Sequence, residues 1–105
     1  MTTVSLKGHA MKGYVIVEVE ILDRAKYDQY RQIAPASIQQ YGGTYIVRGG
    51  HIDPLEGAWK PERLAVLQFE SVERANAWYN SAEYAPAKTI RQEAARSKVL
   101  IVEGI

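Results

Sequence analysis

Two Gly-Gly pairs bracket a short run of β-forming residues: Gly42-Gly43 stands before Thr44-Tyr45-Ile46-Val47-Arg48, and Gly49-Gly50 after it. Glycine takes positive φ, or lets one backbone approach another, at little steric cost. Set on both sides of a β-rich run, the pairs specify a strand bent or bulged at a chosen place. Five of the eight glycines lie between Tyr41 and Arg63, in company with Arg48 and Trp59. Charged and aromatic side chains beside a forced bend indicate a shaped site.

The flanking sequence supplies the other elements. Residues 14–22 alternate, with Val15, Val17, Val19 and Ile21 on one face and Tyr14, Ile16, Glu18 and Glu20 on the other, which reads as a strand with two partly apolar faces. Asp23 stands where an N-cap is needed. Tyr27, Tyr30, Ala34, Ile38 and Tyr41 follow at steps of three and four, the stripe of an amphipathic helix. Pro35 falls inside that helix and is expected to kink or divide it, and Gly42-Gly43 ends it. Residues 44–48 form a second strand, broken at Gly49-Gly50 and continued over 51–55 after a bulge. A loop containing Pro61 spans 56–62, and 64–70 is a third strand. Ser71 caps a helix carrying Val72, Ala75, Trp78 and Tyr79. Ser81 opens a further helical segment with Tyr84, Ala87, Ile90, Arg91 and Ala94, and Pro86 sits in its first turn, where proline does least harm. Residues 98–103 make a short apolar strand.

At 105 residues the chain has the size of one domain, with residues 1–10 read as a leader or extension and 11–105 as the folded unit. The N-terminus lacks the apolar core of a signal peptide, and no apolar run approaches the ~20 residues needed to span a bilayer. A net charge of +1 and the lack of any Lys/Arg run argue against a nucleic-acid surface. The chain has no cysteine, which rules out disulfides, thiolate metal sites and a Cys nucleophile and fits a cytoplasmic protein. No phosphate-binding glycine signature and no nucleophile elbow is present.

The order βαββαβ with right-handed crossovers gives an α+β fold of the ferredoxin-like kind, a four-stranded antiparallel sheet with its helices on one face. The first, third and fourth strands are apolar on both faces, yet helices cover one. A bare apolar sheet face is unstable in a soluble monomer, so a homodimer packed sheet against sheet is the expected partner arrangement.

Several stretches together resemble a known family. They are Lys12-Gly13-Tyr14, Tyr41-Gly42-Gly43, Val47-Arg48-Gly49-Gly50, Leu55-Glu56-Gly57-Ala58-Trp59-Lys60-Pro61-Glu62-Arg63, Trp78-Tyr79-Asn80-Ser81-Ala82-Glu83-Tyr84 and Ile101-Val102-Glu103-Gly104. The chain resembles, from about Lys12 to Ile105, the family of domain of unknown function 1330 within the dimeric α/β-barrel superfamily. Pro86 departs from the family pattern, where a helix-favouring residue is more typical. The resemblance implies a fold and a dimer but no activity. The superfamily includes cofactor-independent monooxygenases, haem-handling proteins and isomerases, so fold analogy does not choose among them.

The candidate site residues each have two readings. Arg48, at the bend, can present its planar fork to a carboxylate or enolate oxygen, or pair with Glu56 and hold the bend. Arg63 opens the third strand across from that bend, in a site or in a strand-edge ion pair. Arg91 shares a helical side with Tyr84 and Ala87 and faces either the sheet or solvent. His51 is the one histidine of the folded unit and the natural general base near neutral pH, or else a structural residue. Tyr27, Tyr30, Tyr41, Tyr79 and Tyr84 line a substrate pocket or pack as core, their hydroxyls needing partners in either case. Trp59 joins them near the glycine loop or stands at the dimer contact. With one relevant histidine and no cysteine, neither a metal nor haem is expected, and no other cofactor is implied.

Two functions follow as expectations. In the first, a small acidic or aromatic compound binds between helices and sheet, Arg48 and His51 do the chemistry of a cofactor-independent oxygenase or isomerase, and the tyrosines, Trp59, Arg63 and Arg91 hold the compound. In the second, the chain is a non-catalytic homodimeric binding or accessory module.

Overall fold

The computed structural model describes residues 11–105, and the extension expected over 1–10 lies outside them. The elements run β1 (Gly13–Ile21), α1 (Arg24–Gln40), β2 (Thr44–Arg48), β3 (Arg63–Phe69), α2 (Val72–Tyr79), α3 (Ala85–Ala94) and β4 (Ala95–Glu103). The strands form one antiparallel sheet in the order β2-β3-β1-β4. This is the ferredoxin-like α+β arrangement, with the second helical connection split into α2 and α3.

Local chemistry sets the boundaries. The Asp23 carboxylate accepts from Lys26 N at 3.1 Å, and Ser71 Oγ accepts from Arg74 N at 3.1 Å, so each cap satisfies a free donor of its helix. Helix α1 stops at Gly42, whose φ is +80°. Gly43 N donates to Ile38 O at 2.8 Å and Gly42 N to Gln39 O at 3.0 Å, the paired closure of a Schellman motif. Ser81 Oγ accepts from Tyr84 N at 3.0 Å and so organises the turn that leads into α3, where Pro86 occupies the start.

The core lies between the helices and one sheet face. Val15, Val17 and Val19 of β1 and Leu67 and Phe69 of β3 are buried against Ala34, Ile38, Ala75, Trp78 and Ala87. Trp78 is the hub: its ring lies 4.0 Å from that of Tyr84 and 5.5 Å from that of Phe69, centroid to centroid. Its Nε1 donates to Ser37 Oγ at 3.1 Å, and Ser37 Oγ donates to Ala34 O at 3.0 Å, so the buried indole is satisfied inside the core.

Among the described residues no helix covers the opposite sheet face. Ile16, Leu64 and Val66 are half-buried there, and Val47, Leu100 and Val102 are exposed. Trp59 hangs over this face from the loop between β2 and β3, its Nε1 donating to Glu18 Oε1 at 3.2 Å.

Four expectations need correction. Pro35 does not divide α1, which runs unbroken from Arg24 to Gln40; only one donor is lost and the packed face holds the helix together. The strand expected over 51–55 is absent, because β2 ends at Arg48 and the chain leaves the sheet. The bulge lies at Ile46 within β2, not at the second Gly-Gly pair. Strand β4 begins at Ala95 instead of Lys98, since β1 continues to pair with it as far as Ile21–Ala95.

Candidate functional site

The bulge decides which side chains meet. In a regular strand, residues three apart point to opposite faces. Tyr45 pairs with Leu67, Val47 with Val66 and Arg48 with Ala65, so Ile46 is the extra residue. Tyr45 and Arg48 thereby both face the helices. Tyr27, Tyr30 and Arg31 approach from α1, and Arg63 from the start of β3, closing a cleft floored by Val17, Ala65 and Leu67.

The inner cavity measures about 20 Å³, room for one water. Arg31 and Arg48 also line a wider hollow of about 330 Å³ with Asp28 and Gln32 on the outer side. The two spaces share those arginines and make up one candidate site.

Cations dominate it. Arg48 stacks on Tyr45 with Cζ 4.4 Å from the ring centroid, and its Nη2 donates to Arg31 O at 3.3 Å. Arg63 lies over Tyr27, Cζ 5.6 Å from the centroid, and its Nε donates to the Tyr27 hydroxyl at 3.2 Å. Among the described residues neither Arg48 nor Arg63 pairs with a carboxylate, whereas Arg31 meets Asp28 at 3.5 Å. The expected ion pair between Arg48 and Glu56 does not form. Gly49 makes the arrangement possible: its φ is +70°, and a Cβ there would collide with the Arg63 guanidinium.

Behind the cleft the tyrosines form a buried chain. The Tyr30 and Tyr84 hydroxyls are 2.9 Å apart, and Arg91 Nε donates to the Tyr84 oxygen at 3.3 Å. Burial, reinforced by neighbouring Tyr84, holds the Tyr30 phenol well above its ordinary pKa, so it stays protonated. Burial likewise raises Tyr45, with Arg48 opposing.

The remaining candidates lie elsewhere. His51 is exposed on the loop after β2, its Nε2 2.8 Å from Asp53 Oδ1, and it is not among the cleft residues. Trp59 belongs to the rim of the open sheet face. The Tyr41 hydroxyl donates to Glu83 Oε1 at 2.7 Å at the surface, which raises the tyrosine and lowers the carboxylate. Tyr79 lies under Lys88, 4.2 Å from ring centroid to Nζ, and Arg91 is buried beside a second cavity. Tyr27, Tyr30, Arg48 and Arg63 are thus brought together, and sequence reasoning missed Tyr45 and Arg31. Tyr45 was detectable only by locating the bulge one step inside the strand. Among the described residues no group of three or more His, Cys, Asp or Glu side chains could hold a metal ion, and no helix is long and apolar enough to cross a membrane.

A family profile described as a domain of unknown function, DUF1330, matches residues 12–105. This chain belongs to the DUF1330 family. Among curated proteins none matches it. Solved structures do. The RPA0582 protein of Rhodopseudomonas palustris, of unknown function, superposes with a TM-score of 0.74 at 15% identity, covering 100% of the DUF1330 chain and 94% of its own. SnoaB, a cofactor-independent oxygenase from Streptomyces nogalater, gives 0.62 at 8% identity, over 89% and 92%. A dimeric ferredoxin-like protein of unknown function from Thermobifida fusca gives 0.53 at 12%, over 90% and 92%. At such identities the likeness is one of fold.

Proposed function

We propose that this protein binds a small acidic, aromatic compound at the mouth of the cleft between α1, β2 and β3. The observation that supports this is the pair Arg48 and Arg63, each stacked on a tyrosine and neither matched by a carboxylate among the described residues. An uncompensated guanidinium held on an aromatic wall suits a carboxylate attached to a ring, the fork taking the oxygens. The acidic group enters towards Arg48 and Arg63 while the ring occupies the outer hollow, since the inner cavity admits only a water.

Binding is favoured over turnover. A general base must lie within hydrogen-bond reach of the proton it takes. His51 is out on its own loop with Asp53, and Tyr30 is held neutral by burial. The oxygenase chemistry of SnoaB is therefore an analogy of fold. We also propose a homodimer formed through the open sheet face, because Val47, Leu100 and Val102 are exposed side by side with half-buried Ile16 and Val66.

The test is a titration with benzoate followed by thermal unfolding. At 100 times its dissociation constant a ligand adds ~2.7 kcal/mol of stability. Stabilisation of the parent chain that disappears in Arg48→Ala supports the site; equal stabilisation of both sinks it.

A further inference from the structure

A second cavity, of about 340 Å³, opens between α3 and β4 and is lined by Tyr79, Arg91, Gln92, Ala95, Ser97 and Val99. That volume falls within the ~300–1,000 Å³ typical of small-ligand sites. Two of its walls are chemically incomplete. Arg91 is only 3% exposed, and among the described residues it has no carboxylate partner and makes one hydrogen bond, from Nε to Tyr84. Its Nη donors are therefore left for the cavity. Ser97 Oγ is buried and has no hydrogen-bond partner among the described residues. A buried orphan hydroxyl is costly unless something answers it, and an enclosed guanidinium with no carboxylate beside it keeps donors for a ligand.

Nearby backbone does not answer them. Arg91 stands in the last turn of α3, where free carbonyls would be natural acceptors. Two of those carbonyls are engaged: Ala94 O accepts from both Leu22 N and Asp23 N at 2.9 Å, and Arg91 O accepts from Ala95 N. Burial pulls the Arg91 pKa down, the Tyr84, Tyr30 and Tyr79 oxygens push it up, and the balance lies upward, so the cation persists. Among the described residues no Asp or Glu lines the cavity.

We infer that this cavity is a site for a small oxyanion, the carboxylate or phosphate group of a small molecule, with Arg91 giving a bidentate clamp and Ser97 Oγ a third donor. The rest of such a molecule has a place to go. An adjoining hollow of about 390 Å³ shares Tyr79 and Val99 and continues over Val72, Asn76, Leu100 and Ile101, a mostly apolar extension of a polar end. The site is separate from the cleft mouth, although the Tyr30–Tyr84–Arg91 chain runs between them.

The experiment is residue-specific NMR on the full chain, following the Arg Nε–H signals and the Ser97 amide during titration with inorganic phosphate and, separately, sodium octanoate at constant ionic strength. We expect saturable shifts at Arg91 and Ser97 with at least one anion: octanoate if the source is a carboxylate with an apolar tail, phosphate if it is a free phosphate group. Ser97→Ala should weaken that binding about tenfold, the loss of one hydrogen bond to a charged partner. Arg91→Lys, which keeps the charge but not the fork, should weaken it as well. Shifts confined to Arg31 and Arg48 would overturn this site while leaving the cleft reading intact. No saturable shift with either anion, or affinity unchanged by Ser97→Ala, would also overturn it.

Discussion

Pro35 holds Arg48 in place without touching it. Proline has no N–H, so the carbonyl four residues earlier, that of Arg31, loses its helical donor. That oxygen accepts instead from Arg48 Nη2 at 3.3 Å. A defect in α1 is thus used to tie the helix to the bulged strand. Restoring the donor should separate the two effects. In Pro35→Ala the helix regains its bond and a better helix former, and we expect stability to rise by about 1–3 kcal/mol in urea unfolding. Arg48 should then share its acceptor with a helical N–H and be held less firmly, so benzoate affinity measured by calorimetry should fall. A variant that is more stable and binds as before would break the connection.

Gly49 and Gly50 should respond differently to the same change. Gly49→Ala forces a side chain into the left-handed region and against the Arg63 guanidinium, costing about 1–2 kcal/mol from backbone strain alone. Gly50 has open space around it and no positive φ, so Gly50→Ala should be near neutral. Chemical denaturation of the pair measures the difference, and equal effects would contradict the close packing of the bend.

The buried phenol predicts an alkaline weakness. The folded pKa of Tyr30 lies above its unfolded value of ~10, so its contribution is complete below pH ~10 and is lost as pH rises from there towards the folded pKa. In that window this one group should cost about 1.4 kcal/mol per pH unit. Tyr30→Phe should flatten the slope of unfolding free energy between pH 9 and 11 relative to the parent. An unchanged slope would mean that Tyr30 ionises freely in the fold.

Trp78 and Ser37 test the core. Ser37→Ala removes the acceptor of a buried indole N–H and should cost about 1–3 kcal/mol. Trp78→Phe leaves a cavity but no orphan donor, and adding Ser37→Ala to it should cost much less than in the parent. A double-mutant cycle in urea gives the coupling directly; full additivity would show that the bond contributes nothing.

The open sheet face predicts assembly. Light scattering at micromolar concentration should give a dimer, and Leu100→Lys, which puts a charge on the β4 side of that face, should give a folded monomer. A monomeric parent would remove the dimer.

The fold was legible from the sequence because its signals are local and redundant. The alternation of Val15, Val17 and Val19, the caps at Asp23 and Ser71 and the Gly42 stop each act within a few residues, and each holds in the structure. The site was less legible because it depends on one unmarked residue. Nothing distinguishes Ile46 as the bulge, yet it turns Tyr45 and Arg48 to the same side. His51 looked like a base by its chemistry, but a side chain's partner cannot be read from its pKa class, and Asp53 two residues away takes it. Arg91 could face either the sheet or solvent by its spacing alone. Its burial depends on β4 starting at Ala95, a tertiary pairing with Ile21 that no local pattern announces.

That last junction also says where the chain can be cut. Helix α3 passes into β4 with no intervening residue, and Ala94 O is held by two amides of the turn after β1. There is no slack at this splice, and an inserted residue would throw the whole edge strand out of phase. The stretch between Arg48 and Arg63 is the reverse. It leaves the sheet, carries exposed side chains such as Leu55, and returns with its ends already fixed by Gly49 N on Leu64 O at 2.8 Å. A new terminus or a grafted peptide belongs there, where the two strands are already joined across the gap.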